Sequence, residues 1–362
     1  MRGRVGILVL AGLCLGCPGS GTGSAGESST GAVGSTGPVS GSSGGDGAST
    51  TSGVVTTGVG TTELVPTTGG EGSSGAVLTT GGEASTGASG CPERAQRGVW
   101  VWQQAQAKDP AKAAALLAFA AKQELTHLYL ESQSLLLEDP ERLAAFIDEA
   151  DAACVAVELL FGAAAWAQTE NHGEALALVD AALTFVDGLA GARPVGLHFD
   201  VEPHGLPDWG ANQGVYANEY LDLLEAMAAK LLGSELPLTV DVAFWYDSVA
   251  VDRDGDTRPL SELVQDRVDR VVVMDYRDHA EPPDGIIDNA AAEVAYAEQI
   301  GRRVRIAVET TCGLDPEKVT FCEEGAIAMT LALELTAQVY AQSPAWDGVA
   351  VHDHAAWSVL MD

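Results

Sequence analysis

Short apolar runs alternate with longer alanine-rich and leucine-rich segments along residues 91–362 of the chain. Eight of these runs have the length and the β-branched or aromatic content of buried strands. They span residues 98–102, 125–131, 155–161, 195–202, 238–245, 270–276, 304–310 and 348–352. Several of the intervening segments place a proline at or near a first helical position, as in Asp109-Pro110 and Asp139-Pro140. The pattern therefore predicts strand and helix in strict alternation.

This alternation predicts a parallel sheet, because consecutive strands joined by a helix form right-handed βαβ units. Eight such units in about 270 residues predict an α/β fold closed into a (β/α)8 TIM barrel. An open, doubly wound sheet is the alternative fold. The first predicted strand ends in Val101 and Trp102, however, and no glycine-rich phosphate-binding loop follows it.

The fourth predicted strand carries three ionisable residues in alternation with apolar ones: His198, Asp200 and Glu202. Strand side chains alternate between faces, so these three groups share one face. Burying them together is costly unless they are paired, solvated or shifted in pKa. The pattern favours a functional site over the alternative, an antiparallel strand whose polar face looks at water.

The carboxyl ends of barrel strands meet at one mouth, which is where TIM-barrel active sites lie. Carboxylates, histidines and aromatic residues fall at or near these predicted ends. Aromatic rings stack on the C–H faces of sugars, while carboxylates accept hydrogen bonds from sugar hydroxyls. We therefore expect a carbohydrate ligand, with these substrate-binding residues: Trp102, Glu131, His198, Trp245, Asp275 and His352.

Two strands resemble those of glycoside hydrolase family 18, the chitinase-like barrels. The segment GLHFDVEP resembles the family's DGxDxDxE strand, with Asp200 at the last Asp and Glu202 at the catalytic Glu. Residues 274–277, Met-Asp-Tyr-Arg, resemble its Met-x-Tyr-Asp element. The resemblance implies that Glu202 protonates the glycosidic oxygen, while Asp200 and Tyr276 orient an N-acetyl group that acts as internal nucleophile. Such an acid needs a pKa raised by burial and by its neighbour.

Two positions depart from the family pattern. His198 stands in place of the first Asp of the strand motif, and Arg277 stands in place of the final Asp of the second element. The substrate-assisted mechanism therefore stays open.

Glu309, at the end of the seventh predicted strand, suggests a second arrangement. Retaining glycosidases of the large barrel clan place an acid/base Glu after the fourth strand and a nucleophilic Glu after the seventh, and Glu202-Pro203 resembles their Asn-Glu-Pro. This resemblance implies Glu309 as nucleophile, with the two carboxyls about 5 to 5.5 Å apart for retention or about 6.5 to 9.5 Å for inversion. The alternative for Glu309 is a structural carboxylate bonded to Arg305 or to another barrel residue.

Two further functions remain open. The barrel could bind carbohydrate without turnover, as the departures from the family motifs would permit. It could also be a metal-dependent hydrolase that uses histidines and aspartates at the mouth, since imidazole and carboxylate together suit zinc; the first strand, however, lacks the His-x-His of amidohydrolase barrels. The favoured function needs neither a metal nor a cofactor.

The first 90 residues differ in composition from the rest. Residues 1–16 have the charged start and short apolar run of a secretory signal. The following Cys17 resembles the lipidated cysteine of bacterial lipoproteins, which predicts a lipid-anchored envelope protein, or a secreted one if cleavage is ordinary. Residues 17–90 are rich in Gly, Ser and Thr and predict a disordered tether with a reach of roughly 50 Å.

Charge and cysteines limit the possible partners. A net charge of −32 opposes binding to nucleic acid or to anionic membrane surfaces. The short spacing makes Cys312 with Cys322 the first expected disulfide, leaving Cys91 for Cys154. No cysteine pair has the spacing of a zinc knuckle. We expect an exported monomer whose partners are a carbohydrate and, through its lipid, a membrane.

Overall fold

The computed structural model describes residues 90–362. Eight parallel strands close into a barrel, and the last strand pairs with the first. The barrel strands are β1 (Arg97–Val101), β2 (His127–Glu131), β3 (Ala156–Gly162), β4 (Gly196–Asp200), β5 (Leu238–Ala243), β8 (Arg270–Met274), β9 (Arg303–Glu309) and β10 (Trp346–His352). The remaining two strands, β6 (Ala250–Arg253) and β7 (Asp256–Pro259), form an antiparallel hairpin after β5. The predicted (β/α)8 barrel is confirmed, and the open sheet is wrong.

Helices fill the connections between the barrel strands. They are α1 (Ala105–Lys108), α2 (Pro110–Lys122), α3 (Gln133–Glu138), α4 (Pro140–Ala152), α5 (His172–Asp187), α6 (Trp209–Leu231), α7 (Leu260–Gln265), α8 (Ile286–Asn289), α9 (Ala291–Ile300), α10 (Gly325–Tyr340) and α11 (His354–Trp357). Two of the predicted starts are confirmed in detail. The Asp109 carboxylate accepts a hydrogen bond from the backbone N–H of Ala111, and Asp139 accepts one from Arg142. Each caps a helix that has proline in its first turn.

Both faces of the strands are buried, as a parallel barrel requires. On β4, Leu197 and Phe199 are fully buried in the layer between strands and helices. The opposite faces of the strands form a smaller core inside the barrel, made of Trp100, Tyr129, Leu160, Val272, Ala307 and Ala350. The polar face of β4 therefore points into the barrel, and the antiparallel alternative for this strand is wrong.

Below the mouth, the barrel interior contains four charged residues that we call the charged floor: Glu158, Arg270, Arg305 and Asp347. Arg305 is fully buried and donates to Asp347 and to the Tyr129 hydroxyl, both at 2.6 Å. Arg270 contacts Asp347 at 2.6 Å and Glu158 at 3.0 Å. Each charge lies next to charges of opposite sign, and this attraction offsets the free-energy cost of removing the charge from water.

Two disulfides join the four cysteines of the barrel domain, Cys91 with Cys154 and Cys312 with Cys322. Both predicted pairings are confirmed. The first connects the start of the domain to a residue two positions before β3, and the second closes the loop that follows β9. Such bonds persist in extracellular and envelope compartments.

The predicted signal, the lipidated Cys17 and almost all of the predicted tether lie outside the described residues, so those predictions stand as made. Within residues 90–362, none of the helices combines the length and the apolar character needed to cross a membrane.

Candidate active site

The mouth of the barrel is formed where β1, β4, β8, β9 and β10 end. His352, at the end of β10, contacts residues at three other strand ends. The Trp102 indole N–H donates to its Nε2 at 2.9 Å, and its Nδ1 lies 2.7 Å from Glu309 Oε2. The ring centroids of His352 and Tyr276 are 6.1 Å apart. Burial raises the pKa of Tyr276 well above its usual value, and the negative charges of Glu309 and Glu202 add to the rise. Tyr276 and Glu309, two of the predicted catalytic residues, therefore lie together with His352 at the hollow end of the barrel that we call the mouth.

Glu202 follows β4 directly, and its side chain is 27% exposed at the mouth. Its Oε1 lies 3.6 Å from Nε2 of His204. Burial raises the pKa of Glu202 to about 7, and the Asp241 carboxylate raises it as well. The carboxyl therefore holds a proton near neutrality while still reaching solvent, which is the state that a general acid needs.

Asp200 ends β4 and lies half-buried below Glu202. Burial raises the pKa of Asp200 well above its usual value, and the charges of Glu202 and Asp241 raise it further. Its Oδ1 is buried and has no hydrogen-bond partner among the described residues. The hydroxyl of Tyr220, a buried residue of α6, is also without a partner there. Buried polar groups without a partner are uncommon, and the two here lie on or beside β4 and its following helix.

Glu309 is held by hydrogen bonds on both oxygens. Oε1 accepts from the backbone N–H groups of Thr310 and Thr311, both at 2.7 Å, and Oε2 faces His352. Since the Trp102 indole can donate only to an unprotonated Nε2, the His352 proton lies on Nδ1 and points at Glu309. Burial alone would raise the pKa of Glu309, but His352 and the backbone donors outweigh burial and lower it.

This arrangement changes the interpretation of Glu309, which is only 4% exposed. Its oxygens are committed to protein donors, so the predicted nucleophilic role has no support in this geometry. The structural alternative fits this geometry, with His352 as the barrel residue that Glu309 binds; Arg305 binds Asp347 instead. Glu309 instead fixes the ring of His352 at the mouth.

Two predicted substrate-binding residues have no exposed surface. His198 lies inside the barrel with Nε2 at 2.8 Å from Asp241 and Nδ1 at 3.5 Å from Glu158. Asp275 is fully buried and accepts a hydrogen bond from Asn289 at 3.1 Å. The expectation that His198 and Asp275 contact substrate is therefore wrong for this structure, because neither side chain reaches the hollow.

Arg277 also lies away from the mouth. Its guanidinium donates to Asp284 Oδ1 at 2.8 Å and stacks over the Phe244 ring at 4.5 Å from the centroid. The adjacent Tyr276, by contrast, is half-buried at the mouth. The position that holds Asp in the family 18 motif therefore supplies no carboxylate to the hollow.

The other predicted binding residues lie on the rim. Trp245 is half-buried and packs edge-on against His204, with ring centroids 5.1 Å apart. The Nδ1 of His204 is 2.8 Å from the Tyr246 hydroxyl, and burial lowers the pKa of His204 to about 4, so this imidazole is neutral. Glu131, at the end of β2, is half-buried and accepts from the backbone N–H of Gln133.

Sequence reasoning missed two buried carboxylates and one glycine. Asp241 and Glu158 are single charged residues inside otherwise apolar strands, LTVDVA and AVELLFG. A single charge inside such a strand indicates a buried carboxylate, although it does not lie at a strand end, where the site was expected. Gly162 was missed as well: a Cβ there would lie 2.9 Å from the Asp200 backbone oxygen and 3.3 Å from the Trp102 ring.

The histidines of the metal-hydrolase alternative are already engaged. Both ring nitrogens of His198 face carboxylates, both nitrogens of His352 have protein partners, and Nδ1 of His204 meets Tyr246. Across residues 90–362, His, Cys, Asp and Glu do not form a group of three or more arranged to hold a metal ion. The donor geometry therefore does not favour a metal centre.

Fold and mouth together define a (β/α)8 barrel with a carboxyl pair below aromatic side chains. Among solved structures, the chain is similar to a GH18 chitinase from Pseudoalteromonas aurantia, with 13% identity over 72% of this chain and 94% of that one and a TM-score of 0.43. It is also similar to an endo-beta-N-acetylglucosaminidase from Cordyceps militaris, with 15% identity over 74% and 83% of the two chains and a TM-score of 0.44.

A GH39 enzyme from Xanthomonas axonopodis pv. citri shares 15% identity over 71% of this chain and 57% of that one, with a TM-score of 0.49. No protein-family model and no curated protein matches the chain. The solved structures that resemble the chain are thus chitinases and other glycoside hydrolases. Likeness of this degree concerns the barrel, and an activity has to be argued from the mouth.

Proposed function

We propose that this protein is a glycoside hydrolase that uses Glu202 as its general acid. One observation carries the proposal: a single carboxyl at the mouth is partly exposed and has its pKa raised to about 7 by burial and by Asp241. Trp102, Trp245 and Tyr276 surround the hollow with aromatic surface. This combination of a proton donor with ring-stacking surface suits a glycosidic bond.

In the proposed reaction, the proton of Glu202 passes to the glycosidic oxygen while the bond between that oxygen and the anomeric carbon breaks. The leaving sugar departs as an alcohol, water adds to the anomeric carbon, and a carboxylate at the mouth takes up the proton of the water. Asp200 and the Tyr276 hydroxyl hydrogen-bond to the polar groups of the reacting sugar. All of these side chains come from one chain, so the proposed enzyme works as a monomer.

The test is Glu202→Gln, assayed on a panel of neutral oligosaccharides by release of reducing ends. We expect loss of at least about a hundredfold in kcat, since general acid catalysis contributes on that order. Aryl glycosides whose leaving group needs no proton should recover much of the rate. Glu138→Gln, at an exposed position at the end of α3, is the matched control and should leave kcat unchanged.

Other outcomes identify the alternatives. A barrel that binds sugar without turnover would give equal binding isotherms for both variants and no products from either the variants or the parent protein. A metal-dependent hydrolase would lose activity to a chelator and recover it with added metal. Either result overturns the assignment of Glu202 as acid.

The pH profile gives a second test of the same assignment. Glu202 is active when protonated and its pKa is raised to about 7. We therefore expect kcat/KM to fall as pH rises through about 7. A profile that rises through the same range would contradict the proposed acid and indicate a group that must be deprotonated.

We also propose that the barrel is exported and held to the cell envelope by lipid on Cys17, with residues 17–90 as the tether. The support lies in the leader sequence and in the two disulfides of the barrel domain. Labelling with a fatty-acid analogue tests it: the parent protein should incorporate label and partition into detergent. Cys17→Ser should do neither; an equally labelled variant would refute the anchor.

A further inference from the structure

His198 lies where no solvent reaches it and has a carboxylate at each ring nitrogen. Nε2 is 2.8 Å from Asp241 Oδ1, and Nδ1 is 3.5 Å from Glu158 Oε2. The second contact is longer than a hydrogen bond, and Nδ1 and Glu158 Oε2 have no hydrogen-bond partner among the described residues. An ionised carboxylate repels a bare nitrogen lone pair, so a proton on each ring nitrogen is what makes both contacts attractive. The geometry therefore favours an imidazolium at His198.

Charge balance inside the barrel leads to the same state. The charged floor contains two carboxylates, Glu158 and Asp347, and two guanidinium groups, Arg270 and Arg305. Asp241 adds one more buried negative charge above this floor, and a neutral His198 would leave that charge uncompensated. Because an uncompensated buried charge is strongly destabilising, a charged His198 is the state that the fold selects.

Asp241 is fixed on both oxygens. Oδ1 accepts from His198, and Oδ2 accepts from the Trp100 indole N–H at 3.3 Å. The residue lies on β5, next to β4 in the barrel, and is almost fully buried. A carboxylate held in this way cannot rotate towards the mouth or exchange its partners for water.

We propose that Asp241 is a positioning residue of the active site, held as a carboxylate by the buried His198 imidazolium. Asp241 directly follows Val240, which is in register with Phe199, so it lies beside Asp200 on the neighbouring strand. Its fixed negative charge there prevents Asp200 and Glu202 from ionising together and so keeps the acid protonated. His198, at the position of the first Asp in the family 18 motif, thus acts through Asp241 without touching substrate. The inference rests on the proposed role of Glu202.

The pKa values are consistent with this geometry. Burial alone would lower the pKa of His198, but Asp241 and Glu158 outweigh burial and raise it to about 9. Burial and the Asp241 charge raise the pKa of Glu202. The titratable and charged groups around His198, Asp241 and Glu202 come from several elements. They are Glu158, Asp200, His204, Tyr220, Arg270, Tyr276 and His352.

Nitrogen NMR of the parent protein tests the first step without a variant and without turnover. With 15N-labelled histidine in the full chain, the His198 ring should show two protonated nitrogens from pH 6 to pH 8. Loss of that signal in His198→Gln assigns it. A neutral tautomer of His198 over this range would overturn the proposal.

Asp241→Asn tests the second step. Carbon NMR of the side-chain carboxyls should show the titration of Glu202 moved down by about one pH unit, the usual minimum effect of a close charge. The basic limb of kcat/KM should move by the same amount. Asp247→Asn, an exposed carboxylate that follows β5, is the control and should move neither titration.

A merely structural Asp241 would lower the melting temperature and leave the Glu202 titration in place, and this result would also overturn the proposal. The NMR readouts separate this inference from the proposed function. If both titrations behave as expected but no glycoside is hydrolysed, the ion pair stands and the assigned activity fails. If Glu202→Gln abolishes hydrolysis while Asp241→Asn leaves the Glu202 titration unchanged, the activity stands and the positioning role of Asp241 fails.

Discussion

Within residues 90–362, buried ionisable groups are paired with opposite charges on the charged floor, but some lack partners near the mouth. On the floor, Arg305 and Arg270 converge on Asp347 at 2.6 Å, and every charge has a partner of opposite sign. Asp200 at the mouth keeps a buried oxygen with no hydrogen-bond partner among the described residues, and Asp275, buried directly after β8, keeps another. Paired charges stabilise the barrel, whereas unpaired carboxyls hold protons at raised pKa. The contrast separates what holds the fold from what is available for chemistry.

Breaking the ion pairs of the charged floor should cause the largest loss of stability. Arg305→Met leaves the Asp347 carboxylate and the Tyr129 hydroxyl without their buried donor. We expect the free energy of unfolding to fall by about 3 to 5 kcal/mol, measured by urea denaturation. Arg303→Met, at an exposed position two residues earlier on β9, is the control and should change it by less than about 0.5 kcal/mol. Equal losses from both variants would show that the floor pairs add nothing specific.

Crowding the mouth should have the next largest effect. The Cβ of Gly162→Ala would press on the Asp200 backbone and the Trp102 ring. We expect a cost of about 1 to 3 kcal/mol in stability, as for other overpacked sites, together with a loss of activity. Gly173→Ala, which would meet no neighbouring atom within 4 Å, serves as the control. A fully active Gly162→Ala would mean that the spacing between Asp200 and Trp102 is not critical.

The pH dependence of stability sharpens the comparison further. Burial raises the pKa of Glu202 to about 7 and of Asp275 and Glu293 to about 8. A folded pKa above the unfolded value gives stability that is present at low pH and is lost as pH rises through the folded pKa. His198, raised to about 9, acts in the same direction. The urea midpoint should therefore fall from pH 6 to pH 9. A rising midpoint would contradict the raised pKa values of these buried groups.

The smallest effect is expected from Asp275→Asn. Because burial raises the pKa of Asp275 to about 8, the native carboxyl is protonated at pH 6, and a neutral amide should replace it at a cost below about 1 kcal/mol. At pH 9 the variant should be more stable than the parent protein, since it has no charge to bury. Asp288→Asn, at an exposed position, should behave like the parent at both values. Greater stability of the parent protein at pH 9 would show that the pKa of Asp275 is not raised.

The sequence predicted most of what depends on local pattern. Periodicity located all eight barrel strands, and the proline signals located the starts of α2 and α4. Both disulfides followed from cysteine spacing and elimination. The alternation of His198 and Asp200 with apolar residues gave the inward face of β4. These features depend on neighbours along the chain, and such neighbours are visible in the sequence.

Partner choice across the barrel was not predictable in this way. The sequence left Glu309 to catalysis or to a bond with Arg305 or another barrel residue, and only closure of the barrel identifies the partner as His352, 43 residues away. It also assigned His198 to substrate, although His198 meets Asp241, likewise 43 residues away. Strand order and register decide which inward side chains share a layer, and periodicity carries no information about register between distant strands.

The chain by itself determined the barrel, the inward face of β4 and the mouth at which Asp200 and Glu202 lie. Only the tertiary structure decided that Asp241 is clamped between His198 and the Trp100 indole, 141 residues away in sequence. The physical reason is that local pattern sets which way a side chain points. The closed sheet sets what it meets there, and therefore which charges are paired and which remain free to act.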